Sequence, residues 1–362
     1  MAKKAAAGDD DTAALKQALL AKRRQKDTRE YLSTGSTLLN LAISDRVDGG
    51  FVKGGFHWLV GDSDSGKSFL SLTCLAEAAK NPAFDKYQFI HDNAENGVLM
   101  DIERFFGKRV AERLKPPSKH GPSDTIDRLY VNLVQAAERG PFIYVLDSYD
   151  ALTSEQEQKK FKERIKAITK GVDAKGEMTD GKAKRNSSGL RQTLALLRDT
   201  NSIFTAISQT RDNMGYGFED QTASGGRALK FYANVQLWTS PRGKLKKTVK
   251  GKERELGILT KIAVRKNRIS GKKRDCIIPI YHSVGIDDIG SIIDWLIEEG
   301  HWHKPEGAAS FQAPEFAHDG TKDKLIKTIE EASREGDLHN LLQQVWDEIE
   351  TACMVKRKAR YQ

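Results

Sequence analysis

Gly61-Asp62-Ser63-Asp64-Ser65-Gly66-Lys67-Ser68 carries the most specific chemistry in the chain. It fits the spacing G-x-x-x-x-G-K-[ST] without a mismatch. Glycines at both ends let backbone N–H groups turn inward on phosphate oxygens, and a following helix adds its positive end. Lys67 would pair with the β- and γ-phosphates, and Ser68 would ligate Mg²⁺. The surroundings agree: the apolar run Phe56–Val60 precedes the loop, and Phe69, Leu70, Leu72, Leu75 and Ala79 follow at helical spacing. The expectation is a nucleoside triphosphate site. Asp62 and Asp64 are unusual there, because carboxylates repel phosphate unless they face solvent.

Three more apolar runs end in polar groups. Phe142–Leu146 ends at Asp147 and Ser148, Tyr87–Ile90 ends at His91-Asp92-Asn93-Ala94-Glu95, and Ser202–Ile207 ends at Ser208 and Gln209. Asp147 is placed to hold Mg²⁺ through water; its other reading is a helix N-cap. Glu95 is the better candidate to deprotonate an attacking water, Asp92 the second, with a solvated loop carboxylate as the plain alternative. Gln209 can hydrogen-bond a γ-phosphate and report its loss. Each function needs the strand endings to face one crevice, as they do in a parallel sheet.

The elements around these residues support that geometry. Short β-branched and aromatic runs alternate with helical patterns, which predicts an α/β fold with a mostly parallel sheet. After residue 234, Asn234–Ser240, Gly257–Lys266 and Cys276–Tyr281 read as strands joined by basic turns that extend the sheet. Ile289–Glu299, Lys322–Ser333 and Leu338–Val355 read as helices, and residues 301–319 as a linker. Leu38, Leu39, Leu41 and Ile43 form a helical pattern after Ser33-Thr34-Gly35-Ser36, and residues 13–26 form a basic amphipathic one. The expected organisation is an N-terminal tail and contact helix at 1–32, a core at 33–300 and a small helical domain at 301–362.

Composition narrows the partners. The chain has 362 residues and a net charge of +9. Residues 242–274 hold fourteen Lys or Arg, opposed by Glu253 and Glu255, so a nucleic-acid surface is expected there. Cys74, Cys276 and Cys353 are scattered and suggest neither a metal site nor a disulfide framework. No run approaches the ~20 apolar residues that span a bilayer, and the polar start at Met1–Thr12 carries no signal-peptide pattern. A cytoplasmic protein without a membrane partner is expected.

With these residues in hand, the chain resembles the RecA family of recombinases over about residues 30–300. Ser33–Ala42 resembles the family's lead-in to the nucleotide loop, Phe89–Glu95 its glutamate strand and Val145–Ser148 its Mg²⁺-binding strand end. Ser224-Gly225-Gly226-Arg227-Ala228-Leu229-Lys230-Phe231-Tyr232-Ala233 is very close to the segment after its second DNA-binding loop. Val264-Arg265-Lys266-Asn267-Arg268-Ile269 resembles a further motif. The overall pattern is similar to phage-type members such as the UvsX group.

The resemblance implies an RecA-like ATPase core and a DNA-dependent ATPase that forms helical filaments on single-stranded DNA. ATP and Mg²⁺ would lie between protomers, and homologous duplex DNA would be the second substrate. Lys266 and Arg268 would act on the neighbouring protomer's ATP; Arg268 departs from the family's usual lysine. Phe105 or Phe106 would stack on adenine. The first DNA-binding loop maps to 171–189, with Lys182, Lys184 and Arg185, and is more basic than usual. The second maps to 211–227, with Arg211, Tyr216, Phe218 and Arg227. Tyr216 and Phe218 could stack on bases or tuck under the domain. A single-stranded-DNA-binding protein and a loading mediator are partners the family implies. The alternatives are an annealing or mediator protein and a ring-forming helicase.

Overall fold

The computed structural model describes residues 27–169, 182–212, 221–224, 226–355 and 357. They fall into two compact units, Tyr31–Asp288 and the chain from Ile289 onward together with residues 27–30. The expected helix at 13–26 lies outside the described residues.

The larger unit opens with β1 (Tyr31–Leu32), α1 (Thr37–Ser44), β2 (Phe51–Val52) and β3 (Phe56–Gly61). Ser36 caps α1 by accepting a hydrogen bond from Leu39 N at 3.4 Å. Then come α2 (Lys67–Lys80), β4 (Gln88–Asp92), α3 (Ile102–Phe106), α4 (Lys108–Arg113), β5 (Leu114–Lys115), α5 (Ile126–Glu138) and β6 (Phe142–Leu146). α6 (Glu155–Thr169), α7 (Lys182–Thr200), β7 (Ile203–Asp212), β8 (Gln221–Ala223) and α8 (Gly226–Tyr232) follow. The unit closes with β9 (Val235–Val249), β10 (Lys252–Asn267), β11 (Asp275–Tyr281) and β12 (Gly285–Ile286).

Ten of these strands form one sheet in the order β12-β11-β10-β9-β3-β7-β6-β4-β5, with β8 paired to β7. β9, β3, β7, β6, β4 and β5 run parallel, and β10, β11 and β12 add on antiparallel. Alternation along the central strands fills two cores. Phe56, Trp58, Val60, Phe142, Tyr144, Leu146, Phe204 and Ala206 share one apolar cluster with α5, α7 and α8. Leu59, Ile143, Val145, Ile203 and Ile207 share the other with α1, α2 and α4. Burial of both sheet faces is what a parallel sheet requires.

Three segments differ from the sequence expectation. β9 and β10 run well past Ser240 and start before Gly257, forming a ribbon turned at Lys250-Gly251, both at positive φ. Residues 182–189 belong to helix α7 instead of a loop. Within the expected linker at 301–319, β13 (Ser310–Ala313) begins a hairpin with β14 (His318–Thr321). Its anchor is Trp302, fully buried, stacked on Phe311 at 5.8 Å and donating to Glu315 at 2.9 Å. The second unit also holds most of α9 (Asp288–Glu298), with α10 (Lys322–Glu331) and α11 (Glu335–Ala352). No helix among the described residues is long and apolar enough to cross a membrane.

Candidate functional site

The glycine loop leaves the carboxyl end of β3 and enters α2, as its sequence predicts. Gly66 lies at φ 81, in the left-handed region, as the residue before α2. A Cβ on Gly66 would also come within 2.6 Å of Ile280 Cδ1. A Cβ on Gly61 would overlap the side chain and carbonyl of Thr239, which lies opposite it on β9. Ser65 is buried, donates to Asp62 O at 2.7 Å and shares a hydrogen bond with the Thr239 hydroxyl at 2.7 Å. Ser63 and Asp64 face solvent. The Asp62 carboxylate accepts from the Thr210 hydroxyl. The apparent conflict between these acids and phosphate is thereby reduced.

Lys67 Nζ donates to Asp62 O at 2.5 Å and to Ser65 Oγ at 3.3 Å. Burial pushes its pKa down, while Asp147, Asp62, Glu95 and Asp150 pull it back up. The ammonium is therefore buried among acids at the mouth of the loop. Asp147 lies beside Ser68, and burial raises its pKa while the Ser68 hydrogen bond and Lys67 oppose the rise. One of its oxygens, Oδ2, is buried without a hydrogen-bond partner. Such an orphaned acceptor fits a site for Mg²⁺ and its water better than a helix cap. The cap reading fails on position too, since Ser148 precedes the short turn Tyr149–Ala151. Among the described residues no cluster of three His, Cys, Asp or Glu could hold a metal alone.

The strand endings meet as expected. Gln209 stands level with Gly61 on the adjacent strand, and Asp92 level with Leu146. The Glu95 carboxylate accepts from the Ser148 hydroxyl and from Gln209 Nε2, the latter at 3.2 Å. Backbone bonds from Asp147 N to Asp92 O (2.8 Å) and from Glu95 N to Asp147 O (3.2 Å) fix the two strand ends to each other. Asp92 points elsewhere: it is fully buried and accepts from Ser123 N at 2.7 Å and Tyr144 OH at 2.5 Å. Burial raises its pKa. Glu95, in contrast, is exposed at the crevice.

Other candidates sit apart. Phe105 packs edge-on against Phe69 at 5.7 Å, one residue past the glycine loop. Lys266 and Arg268 are not at the loop. Strand register places Asn267 opposite Val235 and Val235 opposite His57, at the start of β3, whereas the loop follows its end. There Lys266 Nζ donates to the carbonyls of Lys230 (2.6 Å) and Phe231 (2.7 Å), and Arg268 to Phe231 O at 2.9 Å. These are carbonyls of the last turn of α8, where the helix dipole attracts cations. Burial, Arg268 and Lys230 lower the Lys266 pKa to about 8.

Arg211 lies on β7 and Arg227 in the first turn of α8, both exposed. Tyr216 and Phe218 lie outside the described residues, as do the side chains of Lys182, Lys184 and Arg185. Sequence reading missed Asp150, which accepts from Gln209 N at 2.8 Å, and Thr210, which bonds Asp62. Neither ends an apolar run, so strand-end logic passes over both.

The fold and site define an α/β protein with a glycine loop at the carboxyl end of the central strand of a mostly parallel sheet. Residues 143–287 match the model of the RecA N-terminal domain. The chain is similar to protein RecA of Cytophaga hutchinsonii, 29% identical over 299 residues, 80% of this chain and 73% of that one. Protein RecA of Acinetobacter baylyi is 26% identical over 307 residues, covering 83% and 78%. Protein RecA of Streptococcus agalactiae is 26% identical over 309 residues, covering 81% and 73%. The chain is thus similar to RecA proteins over most of its length, and its large, mostly parallel sheet is consistent with a RecA-like core.

Proposed function

We propose that the chain is a DNA-dependent ATPase of the recombinase type, assembling head-to-tail on single-stranded DNA. The observation that carries this reading is the separation of two half-sites. The glycine loop, Lys67, Asp147, Glu95 and Gln209 gather at one edge of the sheet, and Lys266 and Arg268 stand at the other. A protomer cannot fold its own cations onto its own loop. A neighbour related by a heterologous contact can supply them, and repetition of that contact gives an open helix.

Within one protomer, the loop amides and Lys67 bind the triphosphate. Ser68 and Asp147 would hold Mg²⁺, which would supply positive charge to the phosphates. Glu95 takes a proton from the attacking water. Gln209 leaves Glu95 to hydrogen-bond the γ-phosphate, and the neighbour's Lys266 and Arg268 stabilise charge that develops on transfer. Phe105 flanks the base. Arg211 and Arg227 meet DNA phosphates, together with Lys182, Lys184 and Arg185, while Tyr216 and Phe218 stack on bases. Homologous duplex DNA is then the exchange partner, with a single-stranded-DNA-binding protein and a mediator assisting loading. The phage-type subclass and a cytoplasmic location complete the proposal.

ATP hydrolysis should rise when single-stranded DNA is added, and joint molecules should form with homologous but not heterologous duplex. Hydrolysis that ignores DNA would contradict the coupling. Joint molecules formed equally with both duplexes would point to annealing.

A further inference from the structure

Asp150 has no assigned part in this chemistry, yet its carboxylate joins two segments at the site. One carboxylate oxygen accepts from Gln209 N at 2.8 Å, and the other accepts from the Ser224 hydroxyl. Arg211 lies 3.8 Å away as an ion pair. Ser224 is itself buried and donates its own N–H to Gln209 O at 3.0 Å. The backbone of Gln209 is thus held on both sides, by Asp150 and by Ser224. Ser224 directly follows β8, which pairs with Thr210–Asp212, and α8 begins two residues later.

We propose that Asp150 is a positioning residue that fastens the nucleotide-facing end of β7 to the start of α8, so that Gln209 and the DNA-facing cations Arg211 and Arg227 shift together. This deepens the function proposed above and rests on it. A carboxylate suits the task because it is acceptor-only, and two hydrogen-bond donors and a nearby guanidinium converge on it. Charge-assisted bonds are also the stronger kind. The side chain is 14% exposed, so solvent competes weakly for those bonds. When the Gln209 amide exchanges Glu95 for a phosphate oxygen, the movement of its backbone is passed through Asp150 to Ser224 and α8. The far end of α8 carries the carbonyls that hold Lys266 and Arg268. Both ends of that helix are therefore tied to residues of the proposed ATPase.

The test uses the full chain, a labelled single-stranded oligonucleotide, and a non-hydrolysable ATP analogue with Mg²⁺. The readout is the ratio of DNA affinity with and without the analogue, alongside the affinity for the analogue itself. Asp150→Ala is expected to reduce that ratio at least tenfold while analogue affinity stays within threefold. Asp150→Asn is expected to keep the ratio within threefold, because its amide oxygen still accepts from Gln209 N and its NH₂ can donate to Ser224. An Asp150→Ala protein that keeps the wild-type ratio overturns the proposal. So does one that loses analogue binding and DNA binding to the same degree, which would mark a structural role. A wild-type protein with no nucleotide-dependent DNA binding would instead defeat the functional reading on which the proposal rests.

Discussion

The two ends of β3 use polar groups in opposite ways. At its carboxyl end, Gln209, Glu95, Ser148, Asp150, Thr210 and Asp62 bond side chain to side chain or to backbone across neighbouring strand ends. At its amino end, Lys266 and Arg268 rest on the carbonyls of one helix terminus. The first arrangement is a network of side chains from neighbouring strand ends gathered beside the glycine loop. The second is a pair of cations holding weak acceptors that a polyphosphate can outcompete. Helix-terminal interactions contribute only about 0.3–1 kcal/mol each at exposed sites. On the proposed function, one end recognises a ligand and the other is borrowed by a neighbour.

The sharpest break comes at the loop end. Lys67→Ala should lower ATP hydrolysis on the order of 10³-fold, measured as phosphate release with saturating DNA. Lys266→Ala should cost roughly 10²-fold in the same assay, since Arg268 remains. ATP binding by the free Lys266→Ala protomer should stay within about twofold of wild type, because its half-site is distant in the protomer. Equal loss of binding in both variants would erase the distinction between the ends.

Stability offers smaller tests at the same two positions on β3. His57, at the amino end, is fully buried, stacked on Phe51 at 4.2 Å, and its pKa is lowered from 6.5 to about 3 by burial. The unfolded chain therefore binds a proton below pH 6.5 that the folded chain refuses until about pH 3. Stability should fall as pH drops through this window, by about 2–3 kcal/mol between pH 6.5 and 4.5 from His57. His91, pushed to about 4 by burial, adds to the loss. His57→Gln should flatten the acid limb of a denaturation profile. At the carboxyl end, Gly61→Ala should cost about 1–3 kcal/mol by crowding Thr239, read as a lower melting temperature.

How much of this was legible in the sequence varies with the physics of each segment. β6 runs over Phe142–Leu146 as expected, because a fully buried parallel strand is a short apolar run with polar ends. The outer ribbon of β9 and β10 was read short. Its strands there carry Lys244, Lys246, Glu253 and Glu255, paired across the strands at 2.7 and 2.9 Å, and show no apolar alternation. The hairpin after Trp302 was hidden for a related reason: Pro, Gly and His dominate its surroundings, and one tryptophan supplies the anchor. The start of α7 at Lys182 lacks an apolar stripe, so nothing in the residues opposed the loop that the resemblance maps to 171–189. That Glu95, Asp147, Lys67 and Gln209 come together could be read because each closes or follows an apolar run. Asp150 was not, since its value lies in three partners far along the chain.

The central claim is that a working site needs the loop of one protomer and the cations of the next, and subunit mixing tests it most directly. Lys67→Ala protein keeps the cations and lacks the loop lysine; Lys266→Ala protein keeps the loop lysine and lacks one cation. Random mixing at equal amounts in a head-to-tail assembly should leave about one quarter of the interfaces with both intact. DNA-stimulated ATP hydrolysis should then recover to roughly a quarter of the wild-type rate, far above the sum of the two variants. A mixture whose rate equals that sum would contradict the account and place the whole site within one protomer.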